Sequence, residues 1–179
     1  MNLKSDNLNL RPLELSDAPR VKELASDYDI AKTTLHIPHP YPDGAAETWI
    51  ERTHEASKEG RVYAFAIVRN LDNEVLGAIS LGVSQEHKRA ELAYWMGKPY
   101  WGHGYTTEAA KRLLEFGFEE LDLNRIFALA FATNPASSRV MEKIGMTFEG
   151  TYAQHVCKWD QYHDLVGYGL LKRTYMERK

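Results

Sequence analysis

The chain has 179 residues, 44% of them hydrophobic and 26% charged, which is the balance of one soluble globular domain spanning residues 1–179. A formal charge of −3 gives no general attraction to nucleic acid or anionic membrane, and no apolar run approaches the roughly 18 residues of a membrane span. One cysteine excludes an internal disulfide and a cysteine-rich metal site, and residues 1–9 lack a signal-peptide core, so a cytoplasmic location is expected.

In chain order, Leu8–Leu13 alternates and predicts a first strand, halted near Pro12. Ser16-Asp17 can cap a helix running to about Asp27, with Val21 and Leu24 inward. Ile30–Pro42 is broken by prolines and cannot be one regular element. Its apolar and aromatic content leaves two readings, a loop pinned over the core or one wall of a substrate pocket. Asp43–Glu59 predicts a second helix with Ala46, Trp49, Ile50 and Thr53 inward. The period then shortens. Val62–Arg69, Val75–Val83 and a segment from Glu91 to Met96 read as three strands joined by short turns, hence antiparallel neighbours.

Next comes Trp101-Gly102-His103-Gly104-Tyr105-Thr106-Thr107, then a helix. Ala110, Leu113, Leu114, Gly117, Phe118 and Leu121 form its buried face, with Glu108, Lys111, Arg112, Glu115 and Glu119 toward water. Two glycines one residue apart, placed before a helix start, leave amides unshielded at the positive end of the helix dipole. That suits a phosphate or pyrophosphate, although a plain tight turn has the same pattern. Neither G-x-G-x-x-G nor G-x-x-x-x-G-K-[ST] is present, so dinucleotide and nucleoside-triphosphate folds are not supported.

Asn124–Thr133 is a nearly continuous apolar strand. A helix between it and Glu91–Met96 predicts a parallel pair with a right-handed crossover. Asn134-Pro135 starts a short helix ended by Gly145, with Asn134 as cap and Val140 and Ile144 inward. Phe148–Lys158 and Tyr162–Leu171 predict a hairpin around Trp159-Asp160-Gln161. The fold class is α/β (α+β): a mixed, mostly antiparallel sheet with helices on both faces.

Y-W-G-H-G-Y-T-T-E-A resembles motif A of the GNAT superfamily of N-acetyltransferases, in the form W-G-[KH]-G-Y-[AT]-T-E-A used by the ribosomal-protein N-terminal acetyltransferase branch. Trp101 and Thr106 depart from the general signature [QR]-x-x-G-x-[GA], in which only Gly104 matches strictly. Asn134–Gly145 resembles the branch motif N-x-x-S-x-R-V-x-E-K-x-G. The resemblance implies the GNAT acyl-CoA N-acyltransferase fold, in which the central parallel strands splay and acetyl-CoA lies between them. It places the acetyl and pantetheine end at Tyr94, Trp95 and Met96, and the pyrophosphate at Trp101, Gly102, His103, Gly104, Tyr105, Thr106 and Thr107. It makes Asn134 a ligand of the pantetheine arm and sets Ser137 toward the departing thiolate. In the branch, the I-P-x-P-Y stretch lines the acceptor channel, so His36, Ile37, His39, Tyr41 and Trp49 are candidate substrate contacts.

Acetyl transfer needs a neutral amine and a protonated leaving thiolate. Glu91 is the candidate base, because a carboxylate in an apolar cleft has a raised pKa; alternatively it is a rim residue balancing Lys88 or Arg89. Asn134 and Ser137 also have bland readings, as cap and first-turn residue. Cys157, on an edge hairpin, reads as an inert thiol, and His36 and His39 lack a second pair, so no metal is expected. The expected partners are acetyl-CoA and an amine acceptor, either a protein N-terminus such as that of a ribosomal protein or a small amine (polyamine, amino acid, aminoglycoside). A homodimer stays open. A CoA-binding sensor without turnover is the rival class.

Overall fold

The computed structural model describes residues 1–179. Its strands are β1 (Leu3–Lys4), β2 (Leu8–Pro12), β3 (Val62–Arg69), β4 (Val75–Ser84), β5 (Arg89–Met96), β6 (Arg125–Phe131), β7 (Thr147–Lys158) and β8 (Gln161–Leu171). The helices are α1 (Ala18–Ala25), α2 (Tyr28–Ala31), α3 (Ala45–Lys58), α4 (Tyr105–Glu115), α5 (Pro135–Lys143) and α6 (Lys172–Glu177). All eight strands form one sheet in the order β1-β2-β3-β4-β5-β6-β8-β7, antiparallel throughout except β5 beside β6.

Alternation along the strands divides the core into two layers. On one face Leu8, Leu10, Phe65, Ile67, Leu81, Leu92 and Met96 meet Ala109, Ala110, Leu113 and Leu114 of α4. On the other, Ala66, Val68 and Val75 meet Val21 of α1 and Ala46 and Ile50 of α3. Each fully buried leucine or phenylalanine contributes about 1.5–3 kcal/mol of transfer free energy.

Several expectations change. The expected first helix, Ser16–Asp27, divides into a 3-10 turn (Leu15–Asp17), α1 and the separate α2, whose cap Asp27 accepts from the Asp29 amide at 2.8 Å. Asp17 does not cap α1 with its side chain. It sits in a bidentate pair with Arg11, at 2.7 and 2.8 Å, and accepts from the Glu14 amide at 2.8 Å. The short β1 has no periodicity to announce it; it is recruited by pairing with β2. Beyond Glu115 the helix widens into a π turn, Phe116–Glu120, closed by Leu121 N–H to Phe116 O at 3.1 Å. Gly117 in this turn packs close to the sheet, since a Cβ there would meet Ile126 Cδ1 of β6 at 2.6 Å. Glu108, expected to face water, is instead half-buried and accepts from Ser5 Oγ at 2.6 Å and the Asn7 amide at 2.8 Å. Val140 is half-buried, and Met141 takes the inward position beside Ile144.

Candidate active site

The parallel pair is short. Arg89 pairs with Arg125, Ala90 with Ile126 and Glu91 with Phe127, and pairing stops there. Above that point β5 stays joined to β4 as far as Met96, and β6 stays joined to β8 as far as Phe131. The inward edges of Leu92–Met96 and Ala128–Phe131 therefore diverge with no strand between them. Each keeps its outer neighbour, so the opening is held by the sheet itself. A cleft of roughly 1580 Å³ runs through the gap, lined by both strands, α5, the glycine loop and the segment before α3. Ligand pockets for single small molecules hold about 300–1,000 Å³, so this one has room for a long ligand and a second reactant.

The loop into α4 is shaped for an anion. Gly102 and Gly104 have φ of 76° and 81°, a conformation that glycine adopts without strain. A Cβ at either would meet nothing within 4 Å, so packing is not what demands glycine there. The first backbone bond of α4 runs from Glu108 N–H to Gly104 O at 3.0 Å, and the amides of residues 102–107 donate to no backbone acceptor. These amides, at the positive end of an eleven-residue helix, match the diphosphate of a nucleotide-like ligand. Trp101 and Tyr105 border them, with the Trp101 indole donating to the Met96 carbonyl at 2.7 Å.

Across the gap, Ser137 lies in the first turn of α5. The Tyr94 phenol and the Ser137 hydroxyl are hydrogen-bonded at 2.7 Å, either one donating. Burial pushes the Tyr94 pKa up to about 12, so the phenol is neutral and keeps its proton across the physiological range. Asn134 occupies the cap position of α5, but its side chain makes no cap bond. The expectation that Asn134 caps the helix is corrected: Pro135 supplies the start, and the Asn134 amide is left lining the cleft.

Glu91 is the last paired residue before the strands part. It alternates with Leu92 and lies on the face of β5 shared by Ala93 and Trp95, opposite Tyr94 and Met96. It is accessible through the cleft, yet surrounding protein raises its pKa, a desolvation effect that the nearby His36 opposes. His36, Ile37, Tyr41 and Trp49 line the same side of the cleft. His39 does not; it packs edge-on against Tyr28 at 5.3 Å. His103 also stays outside the lining, stacked on Tyr105 at 5.7 Å with Nδ1 2.9 Å from the Trp101 carbonyl. The remaining expected residues, Trp95, Met96, Gly102, Gly104, Thr106 and Thr107, all line it.

Sequence reasoning passed over Arg139 and Lys143, which also line the cleft and add positive charge beside the glycine loop's helix. Their signal was present, as the only basic residues of α5, four apart on one helical face. It likewise could not show the distant partners of Asp29 and Asp43, Lys98 and Lys22. Asp29 is held by Lys32 at 2.6 Å and by Lys98, which brings its pKa down to about 2, and Asp43 is held by Lys22.

The family described as the acetyltransferase (GNAT) domain matches residues 7–147. The chain is 31% identical over 175 residues to the uncharacterized N-acetyltransferase p20 of Bacillus licheniformis, covering 97% of each. It is 32% identical over 180 residues to YdaF of Bacillus subtilis (strain 168), provisionally named a ribosomal N-acetyltransferase, covering 98% of this chain and 97% of that one. The crystal structure of a GNAT-family acetyltransferase from Bacillus anthracis superposes with a TM-score of 0.87 at 27% identity, covering 97% of this chain and 99% of the other. With its parted strands and exposed loop amides, this chain belongs to the GNAT family and is an acetyl-CoA-dependent N-acetyltransferase.

Proposed function

We propose that the chain acetylates a primary amine carrying one positive charge, of the kind presented by a protein N-terminus, with Glu91 as base and Ser137 on the thiolate side. The observation that carries the choice of acceptor is the charge of the cleft. Three carboxylates line it, and two of these, Asp29 and Asp43, are already ion-paired, leaving Glu91 alone. A polyamine keeps further charges at neutral pH and needs further carboxylates to meet them. One free carboxylate suits one ammonium. The name given to YdaF agrees with a protein N-terminus as acceptor.

Acetyl-CoA supplies the activated acyl group and a thiolate leaving group. The chain's own residues do the rest. The amides of residues 102–107 receive the diphosphate, and the Asn134 side chain, free of cap duty, meets the amide-bearing arm. Glu91, with its raised pKa, takes a proton from the incoming ammonium, directly or through a water. As the C–S bond breaks, Ser137 gives its proton to the departing sulfur and recovers one through the hydrogen-bonded Tyr94 phenol from the water that takes the second proton off the nitrogen. Glu91 and Tyr94, the residue that fixes Ser137, point to opposite faces of β5.

The test is thiol release from acetyl-CoA against a panel of short peptides with free N-terminal serine or alanine, the same peptides N-blocked, spermidine, and a simple monoamine. Free N-termini should turn over and blocked ones should not. A kcat/KM for spermidine about ten-fold above that of every peptide would replace this acceptor assignment with a polycation, while leaving the acetyl-CoA assignment intact.

A further inference from the structure

Lys158 is the buried charge that the chemistry above does not use. It ends β7, is 8% exposed, and makes none of its hydrogen bonds to a carboxylate. Its ammonium donates to the carbonyls of Ala31 and Thr34, and to that of Ile37 at 2.8 Å. An ammonium has three N–H donors, so the set is complete. The acceptors fall at three-residue intervals, which means the chain leaving α2 coils around a single point charge. Ala31 O lies at the end of α2, where a carbonyl has no helical i+4 donor; the Thr34 amide reaches it only at 3.4 Å, and the ammonium adds the closer donor.

The next two residues form a two-residue hairpin loop, with φ of 51° at Trp159 and 58° at Asp160. A bulky residue in the left-handed region is unusual, and this turn favours Asn-Gly. The Trp159 ring stacks on Tyr28 at 5.7 Å and 9°, with the Lys158 ammonium 4.6 Å from its centroid. Tyr28 in turn meets His39. The hairpin tip thus holds the stretch from Tyr28 to Ile37, by Trp159 at its start and by Lys158 along the rest, and residues 32–37 of that stretch line the cleft. Neither Lys158 nor Trp159 belongs to either layer of the core.

The geometry points to Lys158 and Trp159 as positioning residues that hold Ala31–Ile37 as the acceptor-side wall of the cleft and so set the affinity for the amine. This rests on the reading that the amine enters on the side of His36 and Glu91. Removing the ammonium takes away the one donor that Ala31, Thr34 and Ile37 share, and the wall loosens while the glycine loop and α5 stay as they are.

The experiment uses the full chain and the panel member that the wild-type enzyme turns over fastest. Lys158→Met should raise KM for that amine about ten-fold while KM for acetyl-CoA stays within about two-fold, and should speed amide hydrogen exchange over residues 31–37. Trp159→Asn should move acceptor KM in the same sense without lowering the melting temperature, since asparagine suits the left-handed backbone. Unchanged exchange in Lys158→Met would remove the latch. Faster exchange with unchanged acceptor KM, or both KM values rising together, would overturn the link to the acceptor, whichever amine the panel selects.

Discussion

At Glu91 two causes meet: strand alternation sets its side chain on the side of the cleft lined by His36, and the parting of β5 from β6 opens space in front of it. Burial raises its pKa, and a base works only when deprotonated. The rate should therefore fall as pH drops through that raised pKa and level off above it. Glu91→Gln should lower kcat by about 10²–10⁴-fold, with acetyl-CoA affinity unchanged, and should abolish the acidic limb of the pH profile. Stopped-flow or steady-state rates across pH measure both, and a variant retaining the limb would move the base elsewhere. The stability consequence has the opposite sense. A carboxyl whose pKa is raised by folding favours the protonated form, so Glu91 costs stability that sets in as pH rises past its unfolded pKa and is constant above its raised folded one.

The unit proposed to hold the diphosphate of acetyl-CoA is an element, the turn from Trp101 into α4, and what it offers is backbone amides. Gly104→Val forces a β-branched residue to a φ of 81°, at a strain of about 1–3 kcal/mol, and sets methyl groups over the open amides. We expect acetyl-CoA affinity to fall about ten-fold or more by titration calorimetry, with the far-ultraviolet dichroism of a folded chain. Since a Cβ there meets no protein atom within 4 Å, affinity equal to the wild type would mean that these amides do not hold the diphosphate. The Asn134 turn shows how one element's start can serve two ends. Proline at the first helical position does the structural work, which frees the asparagine side chain for the cleft.

For the whole molecule, the opening between β5 and β6 persists because each strand is braced from outside, by β4 and by β8. A ligand filling the gap bridges the two halves of the sheet and binds only the folded chain. Saturating acetyl-CoA at about a hundred times its dissociation constant adds about 2.7 kcal/mol, which for a chain of this size raises the melting temperature by roughly 5–10 °C. Differential scanning fluorimetry with acetyl-CoA, and with an equal concentration of acetate as control, measures it. No shift at saturation would contradict a site built across both halves.

The chain's local patterns carried its elements: the i, i+3, i+4 apolar face of α4, the alternation of β3 to β5, the Gly-x-Gly turn and the Asn-Pro helix start all act within a few residues and are written in composition. Local patterning also placed Glu91, the glycine loop and Ser137 on the elements that carry them, and the motif resemblance implied a mostly antiparallel sheet with a splayed parallel pair at its centre. What it could not reach were relations between residues far apart in the chain. The break after the Glu91–Phe127 pair, the Lys98 partner of Asp29 and the Lys22 partner of Asp43, the Ser5 and Asn7 donors on Glu108 and the Lys158 ammonium under Ala31 and Ile37 all join segments from 21 to more than a hundred residues apart. Periodicity reports only which face of an element is buried, whereas a charge's partner and a strand's divergence depend on what the other segments place opposite it. Those were decided by packing.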